Sequence, residues 1–238
     1  MIFLRSLIFT AYFYLLSAAS VLGAVPTALF GPRRALIAWM AFWNRATLAG
    51  LAAVCGVRVE IRGREHLPTG AALIAGKHQC MLDAFTPFSY LPDPTLVMKK
   101  ELMWIPFMGW YSKLSGMIVI DRGGHATALR KMMADARDRL DDGRQLVIFP
   151  EGHRQDPGAT PDYKPGIAAL YRDLDMPCIP VATNSGVHWP AHGFLRKPGV
   201  VVYEYLEPIP AGLKRAAFMA LLEERIETAS NALLAAGI

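Results

Sequence analysis

His78 and Asp83 stand five residues apart in Gly76-Lys77-His78-Gln79-Cys80-Met81-Leu82-Asp83, directly after the apolar run Ala71 to Ala75. An alcohol is a poor nucleophile at neutral pH, and an imidazole with an ordinary pKa of ~6.5 can take its proton as attack begins. A carboxylate on the far ring nitrogen selects the useful tautomer and stabilises the imidazolium. Five residues on a continuous helix turn through about 500°, which does not bring the two side chains together. The spacing therefore predicts His78 in a loop and Asp83 on the first turn of the following helix. The sequence contains no GxSxG, so the nucleophile expected beside this pair is a hydroxyl of the acceptor, giving direct transfer without an acyl-enzyme. Cys80 lies two residues from His78, but nothing except proximity favours a thiolate, and it reads as a small packing residue. His188 and His192 are four apart, with Pro190 breaking the helix that would align them on a metal.

An isolated HxxxxD is a weak signal. Three further segments accompany it: Ser115 to Arg122, an apolar run ending in Asp121-Arg122; Phe149-Pro150-Glu151-Gly152-His153-Arg154, a run ending in a tight turn; and Cys178-Ile179-Pro180-Val181-Ala182. Each charged group taken singly could belong to a structural ion-pair network. Placed after successive strands, the groups would instead converge on the crevice at the carboxyl ends of an open sheet.

In this order the four segments resemble the blocks of the 1-acylglycerol-3-phosphate acyltransferase family, and Lys99-Lys100-Glu101-Leu102 and Tyr163-Lys164-Pro165-Gly166 add to the likeness, which spans about 71–210. The resemblance implies a catalytic pair of His78 and Asp83, with Arg122, Glu151 and Arg154 on the glycerol phosphate and Lys100 and Lys164 as further phosphate contacts. Guanidinium groups suit bidentate phosphate recognition, and a carboxylate such as Glu151 can accept from a glycerol hydroxyl. The turn at Gly152 could present backbone N–H groups to the thioester oxyanion. His153 stands where the family usually has Thr, which bears on acceptor choice. Cys80 replaces a common Ser, and Met81-Leu82 replaces a more usual aromatic.

The elements that must position these residues are legible in the hydropathy pattern. Val57, Val59 and Ile61 alternate with Arg58, Glu60 and Arg62, as in a strand with one solvated face. Ala71 to Ala75, Thr95 to Met98, Met117 to Ile120, Gln145 to Phe149, Cys178 to Thr183 and Val200 to Tyr205 read as further strands. Leu129, Met132, Met133, Ala136 and Leu140 recur at helical spacing from about Ala126 to Leu140, and Leu213 to Ala236 reads as a closing helix. Alternating strands and helices predict an α/β fold with a mostly parallel sheet covered by helices. An N-terminal apolar two-helix membrane element precedes it, dividing the chain into 1–54 and 55–238.

That element follows from where the apolarity lies. Hydrophobic residues make up 53% of the 238-residue chain and charged residues 19%. No charged side chain occurs from Ser6 to Pro32, a run long enough to cross a bilayer. Arg34 to Val54 carries Trp39, Phe42 and Trp43, which suit an interface. With Arg33 and Arg34 between the runs, a hairpin dipping into one leaflet and a spanning helix followed by an interfacial one both fit. A signal peptide over 1–24 is the competing reading, although the run continues past any cleavage point. The three cysteines are widely spaced without a CxxC pattern, so reduced thiols in the cytoplasm are expected. The net charge of +5 suits anionic lipid or an acidic carrier protein. Nucleic acid is not expected, since the basic residues form no aromatic-interleaved stripe.

The resemblance thus implies acyl transfer from an acyl carrier protein or coenzyme A thioester to the sn-2 hydroxyl of lysophosphatidic acid. No metal or prosthetic group is implied, and the expected location is the cytoplasmic face of an inner membrane. A lyso-ornithine lipid or glycerol 3-phosphate is the alternative acceptor. A non-catalytic basic membrane-binding protein is the alternative from another class.

Overall fold

Each apolar run of the catalytic region becomes a strand: β1 (Val57–Arg62), β2 (Ala72–Gly76), β3 (Pro94–Lys99), β4 (Ile118–Ile120), β5 (Gln145–Ile148), β6 (Cys178–Thr183) and β7 (Gly199–Tyr205). The computed structural model describes residues 1–105 and 107–237, apart from the side chains of Arg122 and His125. Among the described residues the strands form one sheet in the order β1-β7-β6-β2-β5-β3-β4. Neighbours are parallel except β6 and β7, which are antiparallel. The pair β1 and β7 therefore runs opposite to the other five strands, whose carboxyl ends share one edge.

β2 lies mid-sheet between β6 and β5 and is buried along its whole length. Its period-two alternation sends Ala72 and Ile74 into one core and Leu73 and Ala75 into the other. On the second face, α7 (His125–Asp141) packs Met132, Ala136 and Leu140, α8 (Gly166–Leu174) packs Ile167 and Leu170, and α10 (Arg215–Ala235) packs Phe218, Leu222 and Ile226. These helical spacings place one stripe of each helix on the sheet.

The first face is covered by the N-terminal helices α1 (Ile2–Gly23) and α3 (Arg33–Gly50), joined by the short α2 (Val25–Phe30); α4 (Leu82–Phe85), α5 (Pro87–Tyr90), α6 (Met108–Leu114) and α9 (Ser185–His188) are short helices in the connections between strands. Phe9, Phe13, Ile37 and Leu51 share a core with Val57, Ile74 and Val201. α1 and α3 form an antiparallel hairpin, stitched by Tyr12 Oη to Ala46 O at 2.8 Å and Trp39 Nε1 to Ser20 Oγ at 2.8 Å. Gly50 makes that approach feasible: a Cβ there would lie 2.1 Å from the Tyr12 ring.

α3 also packs one stripe inward while Phe42 stays exposed. It buries Leu36, Ile37, Ala41, Asn44 and Thr47, and Asn44 Nδ2 donates to Ser89 Oγ at 2.6 Å. Trp43 donates to Ser17 Oγ of α1 rather than facing an interface alone. The exposed apolar surface lies on α1, with Phe3, Leu4, Leu7, Ile8, Tyr14, Leu15 and Leu22 outward. Ile2–Phe30 is long and apolar enough to cross a membrane by length and composition. Arg33 is also not free for headgroups, since its guanidinium forms a bidentate pair with Asp93 at 2.6 and 2.7 Å.

Trp104, Ile105, Phe107, Met108 and Trp110 are exposed as well and form a surface patch. Tyr111 Oη donates to Val21 O and brings that patch beside α1. The segment's bulky apolar residues alternate with no helical or strand period long enough to bury one face.

Candidate active site

β2 ends at Gly76, and Lys77 N–H still donates to Val181 O at 2.9 Å, so the chain leaves the sheet at His78. The loop then wraps around one carboxylate. Asp83 begins the first turn of α4 (Leu82–Phe85), and its Oδ2 accepts the Gln79 N–H at 2.6 Å and the Cys80 N–H at 2.8 Å. His78 Nδ1 lies 3.1 Å from the same oxygen, while Tyr203 Oη of β7 donates to Oδ1 at 2.8 Å. An acceptor-only partner means Nδ1 carries the hydrogen and Nε2 presents a lone pair. The ring stacks on Phe149 with centroids 4.2 Å apart and planes 19° apart, which fixes its plane. His78 keeps 16% of its side chain exposed against 1% for Asp83, so the base meets solvent while its orienting acid does not.

Burial pushes the Asp83 carboxyl up, but the His78 hydrogen bond and charge and the Cys80 N–H more than offset this and hold it below the usual carboxylate range. Asp83 is thus ionised wherever the imidazole is neutral enough to act as a base. Replacing it with Asn keeps the shape but puts an NH₂ against either the Gln79 and Cys80 amides or the Tyr203 hydroxyl. We expect Asp83→Asn to lower kcat by about 10²- to 10⁴-fold, as loss of an orienting acid does elsewhere. Steady-state assay of the purified variant checks this, and a kcat within twofold of wild type would remove Asp83 from the pair.

Cys80 has no exposed surface, and burial followed by the Asp83 charge pushes its thiol well above the ordinary range. Its thiol donates to Asp83 Oδ1 at 3.6 Å and supplies no thiolate.

The turn after β5 clamps the loop from the other side. Glu151 Oε2 accepts the His78 N–H at 2.8 Å, and Gln155 N–H donates to His78 O at 2.8 Å, so both backbone groups of the base are held. The expectation that Glu151 meets a glycerol hydroxyl is corrected here. Its side chain is fully buried, and its other oxygen accepts Lys77 Nζ at 2.9 Å. Lys77 itself follows a fully buried strand and is 3% exposed, turned inward onto this carboxylate rather than to solvent. Burial opposes its charge, but Glu151 and Glu227 more than compensate and hold its pKa up, whereas burial pushes Glu151 up against Lys77's opposing pull.

Gly152 adopts φ +69°, left-handed backbone that glycine accommodates without strain, and its N–H donates to Phe149 O at 2.9 Å. That N–H closes the turn, so the expected oxyanion donor at Gly152 is committed elsewhere. Arg154 is exposed and its Nη1 donates to Ala191 O at 3.1 Å. Lys164 is half exposed, pairs with Asp162, and sits by its backbone N–H against Pro150 O at 2.8 Å. Lys100 directly follows β3, more than half exposed and paired with Asp121 at 2.8 Å. Arg122 opens a short 3-10 turn after β4, and its side chain lies outside the described residues. Strands are ~4.8 Å apart, so the ends of β3 and β4 lie about 10 and 14 Å along the edge from β2. The structure thus brings Glu151 into direct contact with His78, with Lys100 and the Arg122 backbone farther along the same rim. Among the described residues no group of His, Cys, Asp and Glu is arranged to hold a metal.

Three partners of the site have no signal in the spacing around His78: Tyr203, which is 120 residues from Asp83, Glu227 and the Phe149 ring face. Tyr203 could have been suspected from its place on the inward register of an apolar strand.

Comparison with known proteins agrees with this geometry. A family model described as Acyltransferase matches residues 58–184, from β1 to the residue after β6. The chain belongs to the acyltransferase family. It is 33% identical over 159 residues to a 1-acyl-sn-glycerol-3-phosphate acyltransferase of Pseudomonas aeruginosa, covering 67% of this chain and 62% of the relative. It is also 33% identical over 132 residues to the mouse 1-acyl-sn-glycerol-3-phosphate acyltransferase alpha, covering 55% and 46%. The chain thus matches from somewhat under half to about three fifths of the length of these curated relatives. The fold is shared with the crystal structure of the 1-acyl-sn-glycerophosphate acyltransferase PlsC from Thermotoga maritima, at TM-score 0.81 and 22% identity over 99% of this chain and 98% of that one. The acyltransferase match contains His78, Asp83, Glu151 and Arg154 and stops short of Tyr203 and Glu227.

Proposed function

We propose that the protein transfers a fatty acyl group from an acyl carrier protein or coenzyme A thioester to the sn-2 hydroxyl of 1-acylglycerol 3-phosphate, forming phosphatidic acid. The observation that carries this reading is the oriented imidazole: Nδ1 tied to a buried carboxylate, Nε2 turned outward, and the adjacent thiol too buried to compete. His78 Nε2 takes the hydroxyl proton as the oxygen attacks the thioester carbonyl. The C–O bond forms, the tetrahedral intermediate collapses, the C–S bond breaks, and the imidazolium returns the proton to the departing sulfur. Arg154 and Lys164 beside the turn, with Lys100 and Arg122 along the rim, are the cations assigned to the acceptor phosphate. The names borne by the relatives favour lysophosphatidate over a lyso-ornithine lipid or glycerol 3-phosphate. Purified protein incubated with labelled thioester and these three acceptors is expected to acylate lysophosphatidate fastest. No product lipid from it would defeat the assignment.

The placement we propose is at the cytoplasmic surface of an inner membrane, with α1 lying along one leaflet. Its 22 residues make a ridge about 33 Å long. The same hairpin is fastened to the sheet by Phe9 and Phe13 near one end and by the Arg33–Asp93 pair at the other. A helix held along its length by the catalytic region fits an interfacial orientation better than a crossing one. Replacing Leu4, Leu7 and Leu15 together with Ser is expected to lower partition onto anionic vesicles by at least tenfold, measured by co-sedimentation. Undiminished binding would move the contact off α1.

A further inference from the structure

The ammonium of Lys77 sits between two carboxylates that lie 74 and 150 residues away in the sequence. Glu151 Oε1 accepts from it at 2.9 Å, and Glu227 on α10, 150 residues away, accepts at 2.7 Å through Oε1 and 2.9 Å through Oε2. Tyr163 Oη donates to Glu227 Oε1 at 3.0 Å. Lys77 and Glu151 are buried at 3% and 0% exposure, so these contacts act with little solvent screening.

α10 covers the face of the sheet opposite the N-terminal helices, and Glu227 lies next to Ile226 at the margin of its buried stripe. It reaches over the sheet's end to the loop that carries the base. An ammonium has three hydrogens to place, and Glu151 accepts from it through a single oxygen. Without Glu227 the ammonium loses its second anchor and can swing toward solvent. Glu151 then loses the partner that aims its second oxygen at the His78 N–H.

We propose that Glu227 is a positioning residue for the reaction: through Lys77 and Glu151 it fixes the backbone of His78, and so the direction of Nε2. This rests on the reading of His78 as the base. The Glu227 carboxylate accepts from Lys77 and Tyr163, neither of which is the base or a rim cation, so its effect passes through Lys77 and Glu151.

The test is a mutant cycle on full-length purified protein with Glu227→Gln, Glu151→Gln and the double variant, assayed with lysophosphatidate and a long-chain acyl thioester. Glu223→Gln, an exposed position one turn away on α10, is the control and is expected to match wild type. Glu227→Gln is expected to lower kcat on the order of 10-fold with KM for both substrates within twofold, the pattern of a displaced base. The double variant is expected to be no slower than Glu151→Gln alone, because both changes release the same contact. Tyr163→Phe keeps every charge and removes one hydrogen bond to Glu227. It is expected to show a smaller fall in kcat alone, and it carries the test if Glu227→Gln does not fold.

A wild-type kcat in both Glu227→Gln and Tyr163→Phe, a rise in KM matching the fall in kcat, or losses that multiply in the double variant would each overturn the proposal. His78→Ala run alongside separates the two ideas. If it retains full rate, the reading of the base fails; if it is inactive while Glu227→Gln is normal, the positioning role alone fails.

Discussion

Replacing His78 with alanine is expected to lower kcat by about 10³-fold or more while leaving the melting temperature within a few degrees of wild type. General-base catalysis contributes roughly 10²- to 10⁴-fold, and the upper part of that range applies where the base also returns the proton to the leaving group. His78 does both in the proposed cycle, since the neighbouring carboxylates are engaged: Asp83 is held by five donors and Glu151 by Lys77 and the His78 amide. The fold should survive. The contacts that pin the loop are made by the backbone N–H and C=O at position 78, which alanine retains. The side chain's own losses are its stacking on Phe149 and one hydrogen bond to a carboxylate that keeps four other donors. The pairing of a large rate loss with a small thermal shift distinguishes a base from a strut. It is read by steady-state kinetics and thermal unfolding on the same preparation, and a variant with a rate near wild type would end the account.

Lys77→Met is expected to have the opposite signature, a large loss of stability. The substitution removes the cation between Glu151 and Glu227 and leaves a fully buried carboxylate facing a second one. Breaking a buried ion pair from one side costs about 3–5 kcal/mol. For a chain of this size that corresponds to a fall in melting temperature on the order of 10 °C. The pH dependence has a definite sign. Burial already raises the Glu151 pKa above its ordinary value, and without Lys77 the opposing pull disappears, so the folded state of the variant binds a proton more readily than the unfolded chain does. The variant should therefore be most stable in acid and lose stability as pH rises from the unfolded value of about 4.5 through the raised folded one. Adding Glu151→Gln to Lys77→Met should recover part of the loss, since the uncompensated charge is then gone. Unfolding curves at pH 5 and pH 8 check this, and equal stability of variant and wild type at both would show that the buried pair carries no weight.

These two residues are neighbours in sequence, and they show how far the sequence could be read. The base and its acid were legible because the chemistry is local: five residues of loop and one helical turn close a carboxylate onto an imidazole. The strands were legible because each is a short apolar run, and β2 kept its alternation even though both its faces are buried. Lys77 was not legible. A lysine after a buried strand is read as solvated unless its acceptors are known, and these come from 74 and 150 residues away. Glu151 was misplaced for the same reason, since its motif marks it as important without saying whether it faces a substrate or the back of the base. The inward contacts of α3 were not legible from its aromatic residues, since Trp39 and Trp43 use their indole N–H groups on α1. Hydropathy cannot distinguish a helix that faces lipid from one that faces another apolar helix.

The most direct test of direct transfer is an acid-quenched time course with radiolabelled acyl thioester, followed in both the protein and the lipid fractions. Without acceptor the protein should stay unlabelled. On adding 1-acylglycerol 3-phosphate, label should pass into phosphatidic acid in wild type and not in His78→Ala. Label accumulating covalently on the protein before acceptor is added, or equal transfer by the alanine variant, would contradict an imidazole acting directly on the lipid hydroxyl.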